Sequence, residues 1–330
     1  MRPTYYPVQV RSVLGAGVHT ADSGTAVPLY RDLLELSPGR EFSAGLREAR
    51  ALGFDGRPIA DASFLYDHRG PCSAPALEIL QWRTPAERAE FSVEPHRVGC
   101  AAVGYLVPDI GVVYERAIGA GWQAAVLPRW HLAGESRRVL RLTGPDGVSV
   151  EVAAADGSVG GTRFSHIRIN CSDLEASIEW YARLGFRAKG TPRRLDIDAA
   201  ALGFPAAALL CSSLALPDDP SVTLELCWWE HPAPVEADPV AGESRGLCRI
   251  ALGVDDPVRA PARLDPVWPD IPGATFVQMP ATRLGSADVL FLRDPDGIGV
   301  ELVGLPSGGP RARTGGKAVR DSRNFCRIRR

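Results

Sequence analysis

The sequence predicts an α+β protein built from four copies of one unit, a strand followed by a helix and then further strands. Three observations carry that prediction. A short apolar strand with one embedded glutamate recurs as PALEILQW (Glu78), GVSVEVA (Glu151), SVTLELCWW (Glu225) and GIGVELVG (Glu301), at spacings of 73, 74 and 76 residues. A second apolar strand, running into a polar turn, recurs with it and ends at Asp22, Asp109, Asp173 and Asp256. The distances from Asp to Glu are 56, 42, 52 and 45 residues, so long and short units alternate and the deeper repeat is a pair of units. A fixed period marks repeated structural units, and 330 residues suffice for two domains with real cores.

The opening strands are VLGAGVHTAD, CAAVGYLVPD, HIRINCSD and RIALGVDD. Each is followed by a helical pattern. In LEASIEWYARLGF, Leu174, Ile178, Tyr181 and Leu184 share a face, with Asp173 placed as N-cap and Glu175 in the first turn. AVPLYRDLLEL and IGVVYERAIGAG repeat the pattern, while Pro257, Pro261 and Pro266 shorten the fourth helix. GPDGVSVEV and DPDGIGVEL begin with a turn composition that leads into the last strand. The Gly-rich stretch AAADGSVGGT separates residues 8–155 from 163–305, which predicts an N-terminal pair of units and a C-terminal pair.

Strand alternation sorts the side chains. His166, Arg168 and Asn170 share one face and Ile167, Ile169 and Cys171 the other; Thr223, Glu225 and Cys227 fall together, as do Gly299, Glu301 and Val303. A glutamate within an apolar strand is costly to bury unless it is paired, protonated or metal-bound. Glu78 and Glu151 have no histidine at a matching position and read as solvent-facing residues of a half-exposed sheet. His166 with Glu225 and Glu301 reads either as a structural set or as a functional site. His19, His68, His96, His131 and His231 lie outside the repeated positions and read as structural or exposed.

The net charge of −2 argues against a surface built for nucleic acid or anionic membrane. It hides a split: residues 306–330 carry eight basic residues and Asp321, hence +7, which leaves −9 on the rest. This tail, PSGGPRARTGGKAVRDSRNFCRIRR, reads as a disordered extension. The seven cysteines are scattered and never spaced CxxC, so neither a disulfide framework nor a thiolate zinc site is indicated. With no long apolar run and no secretory pattern at the start, a cytoplasmic protein is expected, with no membrane partner.

HIRINCSDLEASIEWYARLGF and FLRDPDGIGVELVG resemble the opening and closing signatures of the vicinal oxygen chelate superfamily, which includes glyoxalase I, extradiol dioxygenases and bleomycin-resistance proteins. The resemblance implies four βαβββ modules over Val8–Leu305, paired into two glyoxalase-like domains, each a curled mixed sheet enclosing a cleft. It also implies metal-ligand positions on the first and last strands of each module. Carried over, the opening-strand positions are Gly15, Ala102, His166 and Arg249, and the closing-strand positions Glu78, Glu151, Glu225 and Glu301. The N-terminal pair then holds no metal, and Gly15, Gly17, Ala102 and Gly104 read as tightly filled scaffold.

The C-terminal pair retains His166, Glu225 and Glu301 as a hard, oxygen-rich set suited to Fe(II), Mn(II), Ni(II), Zn(II) or Mg(II). Arg249 departs from the pattern, because a guanidinium cannot coordinate a metal. It either pairs with Glu225 and Glu301 in the metal's place or turns aside to hold an anionic substrate.

Two functions follow from the resemblance. One is an enzyme (isomerase, lyase or oxygenase) acting on a small molecule with adjacent oxygen atoms. Its catalytic residues are Glu301, Glu225 and Arg249, its substrate is oriented by Arg168, Asn170 and Arg249, and a cation at His166, Glu225 and Glu301 stabilises negative charge. The other is a metal-free protein that binds or sequesters a small molecule, with Trp180, Trp228 and Trp229 about its pocket. An enzyme that uses Arg249 and a glutamate without metal lies between them. The chain is expected to act as a monomer or homodimer.

Overall fold

The computed structural model describes residues 9–45, 58–84, 94–144, 146–157, 160–197, 199–236, 246–257, 275–282 and 285–305. The first unit comprises β1 (Val10–His19), α1 (Ser23–Leu34), β2 (Ser37–Gly45), β3 (Ile59–Tyr66) and β4 (Ala76–Thr84). The second comprises β5 (Gly99–Val107), α2 (Ile110–Gly119), β6 (Gln123–Leu132), β7 (Glu135–Thr143) and β8 (Ser149–Ala154). In the third, β9 (Arg163–Asn170) and α3 (Leu174–Arg183) precede β10 (Arg187–Ala188), β11 (Arg193–Ile197), β12 (Ala207–Leu216) and β13 (Asp219–His231). The fourth contains β14 (Gly246–Val254), β15 (Thr275–Thr282), β16 (Gly285–Arg293) and β17 (Gly299–Gly304). The basic tail and residues 258–274, where the shortened fourth helix was expected, lie outside the described residues.

The helices start where the sequence puts them. Asp22, Asp109 and Asp173 stand in extended conformation at the three N-caps, and their carboxylates accept from Gly24, Gly111 and Ala176 N–H groups at 2.9, 2.7 and 3.0 Å. At the fourth closing turn, Asp294 accepts from the Asp296 and Ile298 N–H groups at 3.0 and 2.9 Å, which fixes the Pro-Asp-Gly reversal into β17.

Two sheets form. The first has the order β15-β16-β17-β14-β1-β4-β3-β2; the second has the order β10-β12-β13-β9-β5-β8-β7-β6, with β11 also on β12. Each curls until its outer strands approach, β15 meeting β2 and β11 meeting β6. The expected pairing of units within 8–155 and within 163–305 is therefore corrected. β1 runs antiparallel to β14, placing Gly17 opposite Arg249, and β5 runs antiparallel to β9, placing Gly104 opposite His166. The first unit shares a sheet with the fourth, and the second with the third. Every opening strand offers the same kind of free edge, and a backbone ladder forms equally well with any of them, so the repeat period carries no information about the partner.

The apolar faces of both sheets meet one central core. Val18, Ile79, Ile250 and Leu302 come to it from the first sheet, Ile167, Ile169, Leu224 and Cys171 from the second unit pair, and Tyr30, Val113 and Tyr181 from the helices. The opposite, concave faces carry the glutamates, as strand alternation predicts. Among the described residues no helix is long and apolar enough to cross a membrane. Cys100, Cys171, Cys211 and Cys227 are buried thiols outside any disulfide, whereas Cys72 is disulfide-bonded, a pairing that cysteine spacing did not indicate.

Candidate functional site

The concave face of the second sheet holds a buried charge cluster. Gly104 lies opposite both Glu151 and His166. Its missing side chain makes room for the imidazole, since a Cβ there would stand 1.7 Å from His166 Cε1. Glu151, fully buried, accepts from Arg168 Nε at 2.8 and 2.9 Å, from Arg168 Nη2 at 2.8 Å and from Trp130 Nε1 at 3.0 Å. His166 Nε2 lies 3.0 Å from its other side, with Nδ1 2.9 Å from Ser165 Oγ. Burial alone would raise the Glu151 pKa, but the Arg168 charge and the His166 contact outweigh it and hold the group well below the usual carboxylate range. Arg168 also donates to the His131 carbonyl at 2.7 Å and to Cys227 Sγ at 3.0 Å, and it lies 4.9 Å from the centre of the Trp130 ring.

Glu225, also fully buried, accepts from the Ala133 N–H at 2.9 Å and from the Ser213 and Thr223 hydroxyls at 2.6 Å each. His131 Nδ1 stands 3.2 Å from the same carboxylate. Burial again opposes ionisation, but His131 and the Arg168 charge bring the pKa down to about 2. Asn170 is spent on structure: its amide donates to the Pro95 and Arg97 carbonyls at 2.8 and 2.9 Å and accepts from Trp229 Nε1 at 3.1 Å.

The first sheet carries a second, more open set. Arg249 Nη2 donates to Glu78 Oε2 at 2.8 Å, and its Nε lies 2.9 Å from Glu301 Oε1. Its Nη1 is 3.4 Å from His19 Nε2, and Trp82 Nε1 donates to His19 Nδ1 at 3.3 Å. Gly17 backs the arginine, where a Cβ would come within 2.8 Å of Arg249 Cγ. Burial, reinforced by the neighbouring Glu78 charge and only partly offset by Arg249, pushes Glu301 up to about 7.

The structure thus divides the expected site. His166 and Glu225 line the second sheet, Glu301 and Arg249 the first, and the set His166, Glu225 and Glu301 is not assembled. Arg249 does pair with Glu301, but its other carboxylate partner is Glu78 rather than Glu225. Arg168 and Asn170 are buried in internal bonds. Glu78 and Glu151 are not solvent-facing: Glu151 is the centre of a cluster and Glu78 holds Arg249. His131, His19 and Trp130 carried no signal in the repeat, because each acts through a partner from a different strand or unit.

The donor set does not fit a divalent metal. The Glu151 and Glu225 oxygens are engaged by the groups described above, a guanidinium stands among the carboxylates of each sheet, and no group of three or more His, Cys, Asp or Glu side chains among the described residues could hold an ion.

Residues 163–302 match the Glyoxalase/Bleomycin resistance protein/Dioxygenase superfamily. Glyoxalase I from Zea mays is similar to the chain with a TM-score of 0.60 at 17% identity, over 88% of this chain and 92% of that one. A putative dioxygenase from Bacillus subtilis gives a TM-score of 0.59 at 11% identity, over 91% of this chain and 87% of that one. No curated protein matches the chain in sequence. The family match thus covers the third and fourth units, and the two structures share the fold of the whole chain, four units in two curled sheets.

Proposed function

We propose that the protein is a metal-independent enzyme that moves a proton on a small oxygenated molecule bound at the concave face of the first sheet. Glu301 takes the proton from carbon or oxygen next to a carbonyl, and Arg249 holds the negative charge that develops on the substrate oxygen. The observation that carries this reading is the pairing of Arg249 with a carboxylate whose pKa is pushed up to about 7, close to the value a general base needs near neutrality. Glu78 keeps Arg249 in place, and His19 with Trp82 braces it from behind. Glu225, ionised and fully buried, takes no part in this step.

Apolar walls flank the charged set, Leu80 and Trp82 on one side and Val277, Phe291 and Val303 on the other. They favour a second reading, in which the same face binds a small molecule without turning it over. Incubating chelator-treated protein with 2-oxo acids, 2-hydroxy ketones and 1,2-dicarbonyls in D2O separates the two. NMR is expected to report exchange of the proton next to the carbonyl, with the rate rising through pH 7 and abolished in Glu301→Gln. Saturable binding without exchange would favour the sequestering protein, and exchange that appears only after a divalent ion is restored would defeat the metal-independent proposal.

A further inference from the structure

On the second sheet, away from the Glu301 set, a cavity of about 160 Å³ opens where the β6–β7 hairpin faces the segment between β10 and β11. A cavity of about 150 Å³ admits a benzene-sized molecule, so a compact ligand fits. Its lining is His131, Gly134, Lys189, Gly190, Thr191, Arg193 and Ser213, with no acidic side chain among them. Lys189 and Arg193 make no ion pair with any described residue, in contrast to Arg194 next in sequence, which pairs with Asp196 and Glu230. Two unmatched cations at the mouth of one polar cavity leave a local positive field.

The floor is more constrained than the mouth. His131, 2% exposed, is held with Nδ1 3.2 Å from Glu225, while its ring lines the cavity. The Ser213 hydroxyl, on the same wall, is oriented by its 2.6 Å bond to Glu225. The charge of Glu225 does not cancel the field of the mouth: the two buried carboxylates, Glu151 and Glu225, are balanced by the two buried guanidinium groups, Arg141 and Arg168. Backbone geometry keeps the walls open, because Gly134 and Gly190 have φ of +88° and +131°, values that favour glycine, and the Lys189 N–H is anchored to the Ser213 carbonyl at 2.8 Å.

We propose that this cavity is a binding site for a compact oxyanion, a carboxylate or a phosphoryl group, gripped by Lys189 and Arg193 at its mouth, with the His131 ring forming part of the floor. The oxyanion accepts from the two cations and from Thr191, and its remaining bulk faces solvent between the hairpin and β11.

The test titrates the whole protein with inorganic phosphate and, separately, with acetate, each at ionic strength held constant with chloride and followed by two-dimensional amide NMR. Saturable shifts at Gly134, Gly190 and Thr191 are expected. Lys189→Ala and Arg193→Ala, both exposed positions that the fold tolerates, should each weaken binding about tenfold, and Arg194→Ala should leave it unchanged. Tighter binding of phosphate identifies a phosphoryl ligand, and tighter binding of acetate a carboxylate. Non-saturating shifts for both anions, or an equal loss in Arg194→Ala, would overturn the assignment as a diffuse surface effect.

Discussion

Gly104→Ala should be among the most damaging small substitutions in this protein, although alanine is ordinarily a mild replacement for glycine in a strand. The new Cβ would sit 1.7 Å from His166 Cε1 and 1.9 Å from Nδ1, so the ring must move by about 2 Å to regain ordinary contact. It has nowhere to go: His166 is fully buried, with Nε2 3.0 Å from Glu151 and Nδ1 2.9 Å from Ser165 Oγ. Overpacking of this kind costs about 1–3 kcal/mol, and loss of a bond to a buried charged group adds about 1.5–3 kcal/mol. A total of about 2.5–6 kcal/mol follows. With an unfolding entropy of about 2 cal/mol/K per residue over the folded chain, the thermal midpoint falls by roughly 4–10 °C. Gly17→Ala is the internal comparison, because its nearest obstacle, Arg249 Cγ, stands at 2.8 Å, a milder overlap than the 1.7 Å at Gly104. Urea unfolding of both variants measures the difference. If Gly104→Ala lies within 1 kcal/mol of Gly17→Ala, the tight seat of His166 against Glu151 is wrong.

Arg168→Met leaves Glu151 buried without its counter-ion and is expected to destabilise by about 3–5 kcal/mol in urea unfolding, most of it recovered when Glu151→Leu is added; failure of the second change to rescue would mean that the pair is not the source of the loss. Because the folded pKa of Glu301 is raised from 4.5 to about 7, its contribution to stability is full below about pH 4.5 and is lost as pH rises to about 7, a change of about 3 kcal/mol. Asp294, also raised to about 7 by burial, adds a slope of the same sign in every variant, so only the difference between wild type and Glu301→Gln isolates Glu301, and parallel stability–pH curves would refute the shift. Arg249→His replaces the guanidinium between Glu78 and Glu301 with a group that can coordinate. Equilibrium dialysis against Zn(II) should show about one ion per chain in that variant and none in wild type, whereas equal metal content would mean that the arginine was not filling a ligand position.

The repeat, the helix caps and the sorting of strand faces were legible because each depends on neighbours within a few residues. Asp173 is three residues from the N–H it caps, and His166, Arg168 and Asn170 share a face by parity alone. The composition of the sites was not legible, because it depends on which units share a sheet. Glu151 lacks a histidine on the opening strand of its own unit and receives one from β9 of the next, through the gap left by Gly104. Glu301 falls in the same half of the chain as His166, but its strand β17 pairs with β14, and β14 lies on β1, more than two hundred residues away. His131 was passed over because its position does not repeat; its role comes from facing β12 and β13 across the curl.

Pairing the first unit with the fourth and the second with the third makes the architecture nested, like brackets within brackets. As the chain emerges from the ribosome, the inner pair is complete once β13 has been made, while β1 must wait for β14 with its ladder edge uncovered. An exposed edge of that kind invites pairing with other chains. The Gly-rich link near residue 157 therefore does not separate two autonomous halves: severing it leaves one partner of each sheet on each fragment. Such fragments should be poorly soluble apart and regain order when mixed, whereas excision of 94–236 should yield the inner sheet as a single piece.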